Sequence, residues 1–343
     1  MRVLVAMSGG VDSSVAAALL VDAGHDVVGA TMKLWGGPSD TGCCSVADVE
    51  DARRVAQQLG IDHHVFNFTD SFDADVVVPY VADHAAGRTP NPCVECNRSL
   101  KFDRFLRRAD ALGFDAIATG HHARIDGDPA CGWSLGRGRD RDKDQSYVLH
   151  MLGQDQLGRT LLPVGAMTKD EVRAVAAAAG LRTAAKPDSQ DVCFIASGAG
   201  RSAFLGERIA LHPGRVVDTD GRHVGDVEAV ELVTVGQRKG LGPVGAGVPR
   251  YALAVDVASA TVTVGSPDEL LVTATAVTAW TWTADAAAIG TVVEAQTSAH
   301  GEPRPAVFTG GGVEWSRPAK RVAPGQSVVL YDGDRVLGGG RAA

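Results

Sequence analysis

A glycine-bearing turn near the start of the chain, Ala6-Met7-Ser8-Gly9-Gly10-Val11-Asp12-Ser13, constrains the fold more than any other stretch. Before it, Val3-Leu4-Val5-Ala6 is an unbroken apolar run, the pattern of a parallel strand buried on both faces. After it, Val11, Val15, Ala18 and Leu19 recur at helical spacing. A turn joining such a strand to a helix leaves backbone N–H groups bare at the helix N-terminus, where an anion is favoured. Gly9 and Gly10 let a phosphate approach the backbone, and Ser8, Ser13 and Ser14 add hydroxyl donors. The Gly-Lys-Ser/Thr ending of a Walker loop is absent, as is the spaced glycine fingerprint of dinucleotide binders. Asp12 stands in place of the Walker lysine, which suits a magnesium–pyrophosphate unit better than a transferred terminal phosphate. An ordinary strand-to-helix turn would also tolerate Gly-Gly, so the glycines alone do not choose between the two.

Further strands are predicted at 25–32, 63–68 and 116–121, with helices at 46–59, 76–86 and 100–112. Strands alternating with helices indicate a parallel sheet covered on both faces, with ligands at the carboxyl ends of its strands. Ser8, Met32 and Gly120 fall at such ends and are expected to line one pocket. Residues 133–145 are polar and glycine-broken, reading as an excursion beyond the sheet, and Thr168-x-x-Glu171 is a capping box. Beyond about residue 210 the texture changes to short β-type runs separated by Gly, Pro and Asp. The expected architecture is α/β: a parallel sheet covered by helices over 1–205, a small mostly-β middle domain over 206–268 and a C-terminal β-barrel over 269–343. The chain's 343 residues suffice for three cores. No apolar run is long enough for a bilayer and the first residues form no basic-then-apolar leader, so no membrane association and a cytoplasmic location are expected. A net charge of −8 argues against non-specific nucleic-acid coating while leaving room for a local basic groove.

Six cysteines in so long a chain do not make a disulfide framework. Cys93-Val94-Glu95-Cys96 precedes a helix, and a helix N-terminus lowers thiol pKa. Three readings compete. A zinc site would need Cys43-Cys44 as its second pair, and adjacent cysteines bind one ion poorly. A thioredoxin-like pair would follow directly on a strand, whereas this one follows a proline-rich loop. The third reading is sulfur or cluster chemistry with Cys193 as distant partner, although Cys193 before Phe194-Ile195 also fits a buried core residue.

The loop at 8–14 resembles the pyrophosphate loop of ATP pyrophosphatase-type enzymes. Taken with Met32-Lys33-Leu34-Trp35, Arg88-Thr89-Pro90-Asn91-Pro92, Cys96-Asn97, Ala118-Thr119-Gly120-His121 and Lys143-Asp144-Gln145-Ser146-Tyr147, the order of motifs is similar to that of the tRNA-specific 2-thiouridylases. Asp188-Ser189, Cys193-Phe194-Ile195, Gly236-Gln237-Arg238-Lys239-Gly240-Leu241-Gly242, Pro324-Gly325-Gln326-Ser327 and Leu337-Gly338-Gly339-Gly340 extend the likeness over essentially the whole chain. The resemblance implies an adenine nucleotide alpha hydrolase-like catalytic fold and an ATP-dependent sulfurtransferase acting on the wobble uridine of tRNA. ATP with Mg2+ would be held by residues 6–13, Met32 and Gly120, and would adenylylate the uracil oxygen at position 2. Cys193 would carry a persulfide supplied by a cysteine desulfurase or sulfur-relay protein. Cys96 would attack that persulfide, leaving a Cys96–Cys193 disulfide. Asn91, Pro92 and Cys93 would meet the target base, and Lys143, Asp144 and Gln145 would touch tRNA.

Two places depart from the family pattern: Cys93 stands where many relatives carry Asp, and an arginine–aromatic pair expected to hold tRNA is replaced near Ser298-Ala299-His300. With Cys93 available, Cys93, Cys96 and Cys193 could instead ligate a four-iron four-sulfur cluster whose open iron holds hydrosulfide. Lys101, Arg104 and Arg108 would form one stripe of an α-helix, suited to phosphate contacts at the mouth of the site. The competing functions are an adenylating ligase with a small-molecule substrate, which would need no thiols, and a non-enzymatic RNA-binding iron–sulfur sensor.

Overall fold

The computed structural model describes residues 1–34, 45–188, 194–195, 200–241 and 250–343. Its first layer is a five-stranded parallel sheet of β1 (Arg2–Ala6), β2 (Asp26–Lys33), β3 (His63–Asn67), β4 (Ala116–Ala118) and, beyond the hairpin β5 (Ala123–Asp128) and β6 (Gly132–Arg137), β7 (Thr160–Leu161). The spatial order is β3-β2-β1-β4-β7. Val3 pairs with Val27 on one side and Ala116 on the other, so strand order reverses at β1. Such a switch point leaves a crevice at the strand's carboxyl end, where residues 8–13 lie. Val3 and Val5 face one apolar core while Leu4 faces the other, which explains the unbroken apolar run. The expected strands are all present; β7, only two residues long, carried no periodic signal.

Helix α1 (Val11–Asp22) follows the turn, and α2 (Val46–Leu59) has the predicted bounds, capped by Ser45–Asp48 and ended by left-handed Gly60. The helical stretch expected at 100–112 begins earlier, as the turn Pro92–Glu95, and passes through a widened π-type segment, Cys96–Arg104, before Phe105–Ala111. Residues 133–145 do not simply leave the fold, because Gly132–Arg137 forms the second arm of a β-hairpin.

The middle sheet, ordered β10-β11-β8-β9, comprises β8 (Gly214–Val217), β9 (His223–Val227), β10 (Tyr251–Asp256) and β11 (Thr261–Gly265) around its own apolar cluster. Strands β12 (Leu271–Trp282), β13 (Val292–Gln296), β14 (Arg304–Phe308), β15 (Gly312–Lys320), β16 (Ser327–Asp332) and β17 (Arg335–Ala342) close into a six-stranded barrel through β12–β17 pairing. Hairpin β5–β6 joins this sheet at Arg335↔Gly136. No helix among the described residues is long and apolar enough to cross a membrane.

Candidate active site

The turn after β1 is shaped by contacts its glycines alone permit. Gly9 has φ +73°, and a Cβ there would collide with the Asp48 carbonyl at the start of α2. Gly120, two residues past β4, lies so close to α1 that a Cβ would be 2.6 Å from the Ser13 nitrogen. Gly10 caps α1 without a side-chain bond, leaving its N-terminal amides to a ligand. Ser8 and Ser13 hydroxyls lie 3.3 Å apart. The expectation for Ser14 is corrected: it is fully buried and its hydroxyl donates back to Gly10 O at 2.8 Å.

A cleft of about 180 Å³ opens here, lined by Ala6, Met7, Ser8, Asp12 and Ser13 of the turn. Met32 and Leu34 line it from the end of β2, Gly120 and His121 from the end of β4, with Lys101 and Gln145 completing the wall. The three strand ends expected to meet therefore do meet. Val11 instead points into the core, and Gly9 and Gly10 contribute backbone shape.

Asp12 is the end of a chain of ionic contacts. Both its oxygens accept from Lys169 Nζ at 2.8 Å, and Oδ1 also accepts from His122 Nε2 at 3.1 Å. Lys169 Nζ reaches Asp188 Oδ1 at 2.8 Å, and Asp188 is further held by Lys143 at 2.8 Å and Arg173 at 2.9 Å. Burial alone would raise the Asp12 carboxyl, but bonds from His122 and Lys169 outweigh it and hold it below its ordinary value. Asp188 is likewise driven up by burial and down by Lys143 and Lys169, ending at about 2. Lys186 braces the turn from behind, donating to Gly9 O at 2.9 Å, Asp48 at 2.6 Å and Asp51 at 2.8 Å.

Sequence reasoning missed Lys169 and His122. Lys169 is the first residue of its helix, Lys169–Ala178, where a cation opposes the helix dipole. That misplaced charge was the available signal.

Asn91 caps the turn Pro92–Glu95, its Oδ1 accepting from Cys93 N at 3.0 Å. Cys93 is exposed and Cys96 is buried in the core that also holds Phe72, Leu100 and Phe194. Hydrogen bonding of i→i+5 type through Cys96–Arg104 brings residues five apart roughly one turn apart, so Cys96 and cleft-lining Lys101 fall on nearby faces. The same winding undoes the expected basic stripe. Lys101 lines the cleft, Arg104 pairs with Asp75 at 3.0 Å, and the Arg108 guanidinium sits 5.2 Å over the Phe66 ring. Cys193, Cys43 and Cys44 lie outside the described residues. Among the described residues, no group of three His, Cys, Asp or Glu is placed to hold a metal ion.

Of the triplet expected at tRNA, Lys143 is partly exposed, whereas the Asp144 carboxylate is enclosed. It accepts from Arg137 at 2.9 Å, Gly138 N at 2.9 Å and Ser146 at 2.9 Å. Gln145 Oε1 accepts from His122 N at 2.9 Å, tying the triplet to the Asp12 partner.

The family described as "tRNA methyl transferase HUP domain" matches residues 1–197. Companion families, "tRNA methyl transferase PRC-barrel domain" and "Aminomethyltransferase beta-barrel domain", match 202–266 and 272–342. The tRNA-specific 2-thiouridylase MnmA of Roseiflexus sp. (strain RS-1) is 46% identical over 100% of this chain and 99% of its own length. The chain belongs to the tRNA-specific 2-thiouridylase family. Its counterpart in Mycolicibacterium paratuberculosis (strain ATCC BAA-968 / K-10) is 48% identical over 98% of both chains. Among solved structures, the U34-tRNA thiolase NcsA from Methanococcus maripaludis aligns with TM-score 0.38 and 18% identity, covering 56% of this chain and 61% of that one.

Proposed function

We propose that this chain is an ATP-dependent sulfurtransferase that thiolates position 2 of the wobble uridine of tRNA in the cytoplasm. The observation that carries this reading is the cleft itself: bare helix amides, an Asp12–Lys169 pair and the Lys101 face of the cysteine-bearing helix around one space. Methyl transfer, which the domain descriptions mention, would call on neither a pyrophosphate loop nor paired thiols.

ATP would lie with its phosphates at residues 8–13 and its adenosine toward Met32 and Gly120. The uracil oxygen attacks the α-phosphorus and pyrophosphate leaves; the α1 amides and Lys169 meet the departing charge. Asp12 suits Mg2+, which binds through one or two carboxylates plus phosphate oxygens. That ion would neutralise pyrophosphate once Lys169 has turned from Asp12 to the phosphates. A persulfide on Cys193, loaded by a cysteine desulfurase or relay protein, is then attacked by the Cys96 thiolate. Hydrosulfide is released and a Cys96–Cys193 disulfide forms. Hydrosulfide adds to uracil C2 and AMP departs; a two-electron reduction by an external thiol resets the enzyme. Phe194, next in sequence to Cys193, shares the apolar core of Cys96, which supports the pairing. Asn91, Pro92 and Cys93 would meet the base, with Lys143 facing the RNA and Asp144 and Gln145 holding it there.

Spacing of three residues also suits Cys93 and Cys96 to ligate an iron–sulfur cluster with Cys193, and iron content of anaerobically purified protein separates the two schemes. Cys96→Ser tests the first. It should stop 2-thiouridine formation, read by nucleoside mass spectrometry, while tRNA-dependent pyrophosphate release continues. Thiouridine at the normal rate from iron-free Cys96→Ser protein would refute the two-thiol scheme.

A further inference from the structure

Beside the turn Pro92–Glu95, a second cavity of about 370 Å³ lies between the first layer and the barrel. Asn91, Glu95 and Arg98 form one wall; Trp280, Ser327 and Arg341 form the other. Neither cysteine lines it.

The cavity is built rather than incidental. The barrel is clamped to the loop before Asn91 by Thr89 N donating to Pro324 O at 2.7 Å, and to the turn Ser146–Leu149 by Tyr147 OH donating to Ser327 O at 2.8 Å. Register between β12 and β17 shifts between Thr278 and Thr281, and within that bulge Ala279 holds φ +52°, a strained value for a residue with a Cβ. The run Gly338-Gly339-Gly340 admits the bulge. A Cβ on Gly339 would lie 2.5 Å from the His150 ring, and one on Gly340 would lie 3.2 Å from the Trp280 indole. His150 borders the cavity though only 2% exposed. Its Nδ1–H donates to Tyr147 O at 2.8 Å, so Nε2 is an acceptor that no described residue bonds. Burial pushes this imidazole down to about 4, which keeps it neutral.

The chemistry favours a base over an anion. Arg98 already has Glu95 at 3.4 Å, and Arg341 and Arg88 share Asp83, so no surplus cation awaits a phosphate. What remains is a neutral acceptor, an indole and two guanidinium planes, the groups on which unstacked RNA bases rest and are read. We infer that this cavity takes one unstacked base of the tRNA anticodon loop, adjoining the target uridine, with His150 Nε2 accepting from its edge or its 2′-hydroxyl. The inference rests on the thiolation reading, since Asn91 borders the cavity and would also meet the target base.

The test uses the full chain and an anticodon stem–loop carrying 2-aminopurine immediately 5′ or 3′ of the target uridine. One of the two positions should change fluorescence on binding. Arg98→Ala, at the cavity rim, should raise KM for tRNA about tenfold, the scale of one lost base contact. His150→Leu should do likewise and His150→Gln, which keeps a polar acceptor, should recover part of the loss; the ATP dissociation constant reports folding in each case. If wild-type protein releases no pyrophosphate on adding tRNA, the thiolation reading itself fails. If it does, but neither probe responds or Arg98→Ala keeps KM within twofold, the cavity assignment alone is overturned.

Discussion

The two cavities flanking the cysteine-bearing helix are built on opposite electrostatic plans. From Asp12 in the strand-end cleft, a continuous chain of ion pairs runs through Lys169 and Asp188 to Lys143 and Arg173. In the barrel-side cavity the buried polar groups include a neutral imidazole, one nitrogen of which no described residue bonds, and the unbonded Nε1 of Trp280, beside a strained alanine. A highly charged ligand of fixed shape calls for the first plan, because charges already oriented need no reorganisation when the ligand's charge moves. Reading a base calls for the second, since neutral hydrogen bonds and stacking discriminate without competing for counterions.

The contrast breaks most sharply at Lys169. Lys169→Ala removes the cation that Asp12 and Asp188 share, and pyrophosphate release should fall about 10²- to 10³-fold, the usual scale for one lost oxyanion partner. Stopped-time assays with saturating ATP and tRNA read it; a loss below threefold would remove Lys169 from the reaction.

A smaller effect sharpens the comparison through pH. The Asp188 pKa is lowered from 3.8 to about 2, so its ionised form is favoured by folding. That contribution is complete above the unfolded pKa near 4 and disappears as pH falls through 2. Asp188→Asn should therefore lower stability by roughly 2 kcal/mol at pH 7 in urea titrations. The gap between variant and parent should close as pH falls from about 4 to 2. A gap that persists at the acid end would mean the cost is lost packing rather than lost charge.

The smallest expected change lies across the helix. Ala279→Gly relieves left-handed strain of roughly 1–2 kcal/mol but frees the unfolded chain, at a cost of roughly 0.4–1 kcal/mol. A net gain of about 0.5 kcal/mol should appear as a slightly raised Tm. A fall in Tm would show that Ala279 is not under strain.

Much of the first layer was legible because its signals are local. The apolar run of β1, the helical period after Gly10, the Thr168 cap and the Gly60 stop each depend on residues a few positions apart. Alternating strands and helices imply a parallel sheet with ligands at its carboxyl ends, and with it the meeting of Ser8, Met32 and Gly120. The placement of Lys143-Asp144-Gln145 was legible only as a motif; that Asp144 turns inward to Arg137 could not be read from its neighbours.

The sequence by itself thus determined the parallel sheet, the glycine turn after β1 and the start of a helical stretch at Cys93 and Cys96, because short-range periodicity and turn chemistry encode them. Tertiary structure alone decided who neutralises Asp12: Lys169 lies 157 residues away, brought in by packing of its helix against α1. It also decided the π-type winding that divides Lys101 from Arg104 and Arg108, and the cavity where β12 bulges against a glycine run. Those features depend on which surfaces the closed barrel and the parallel sheet present to each other, and no local pattern carries that information.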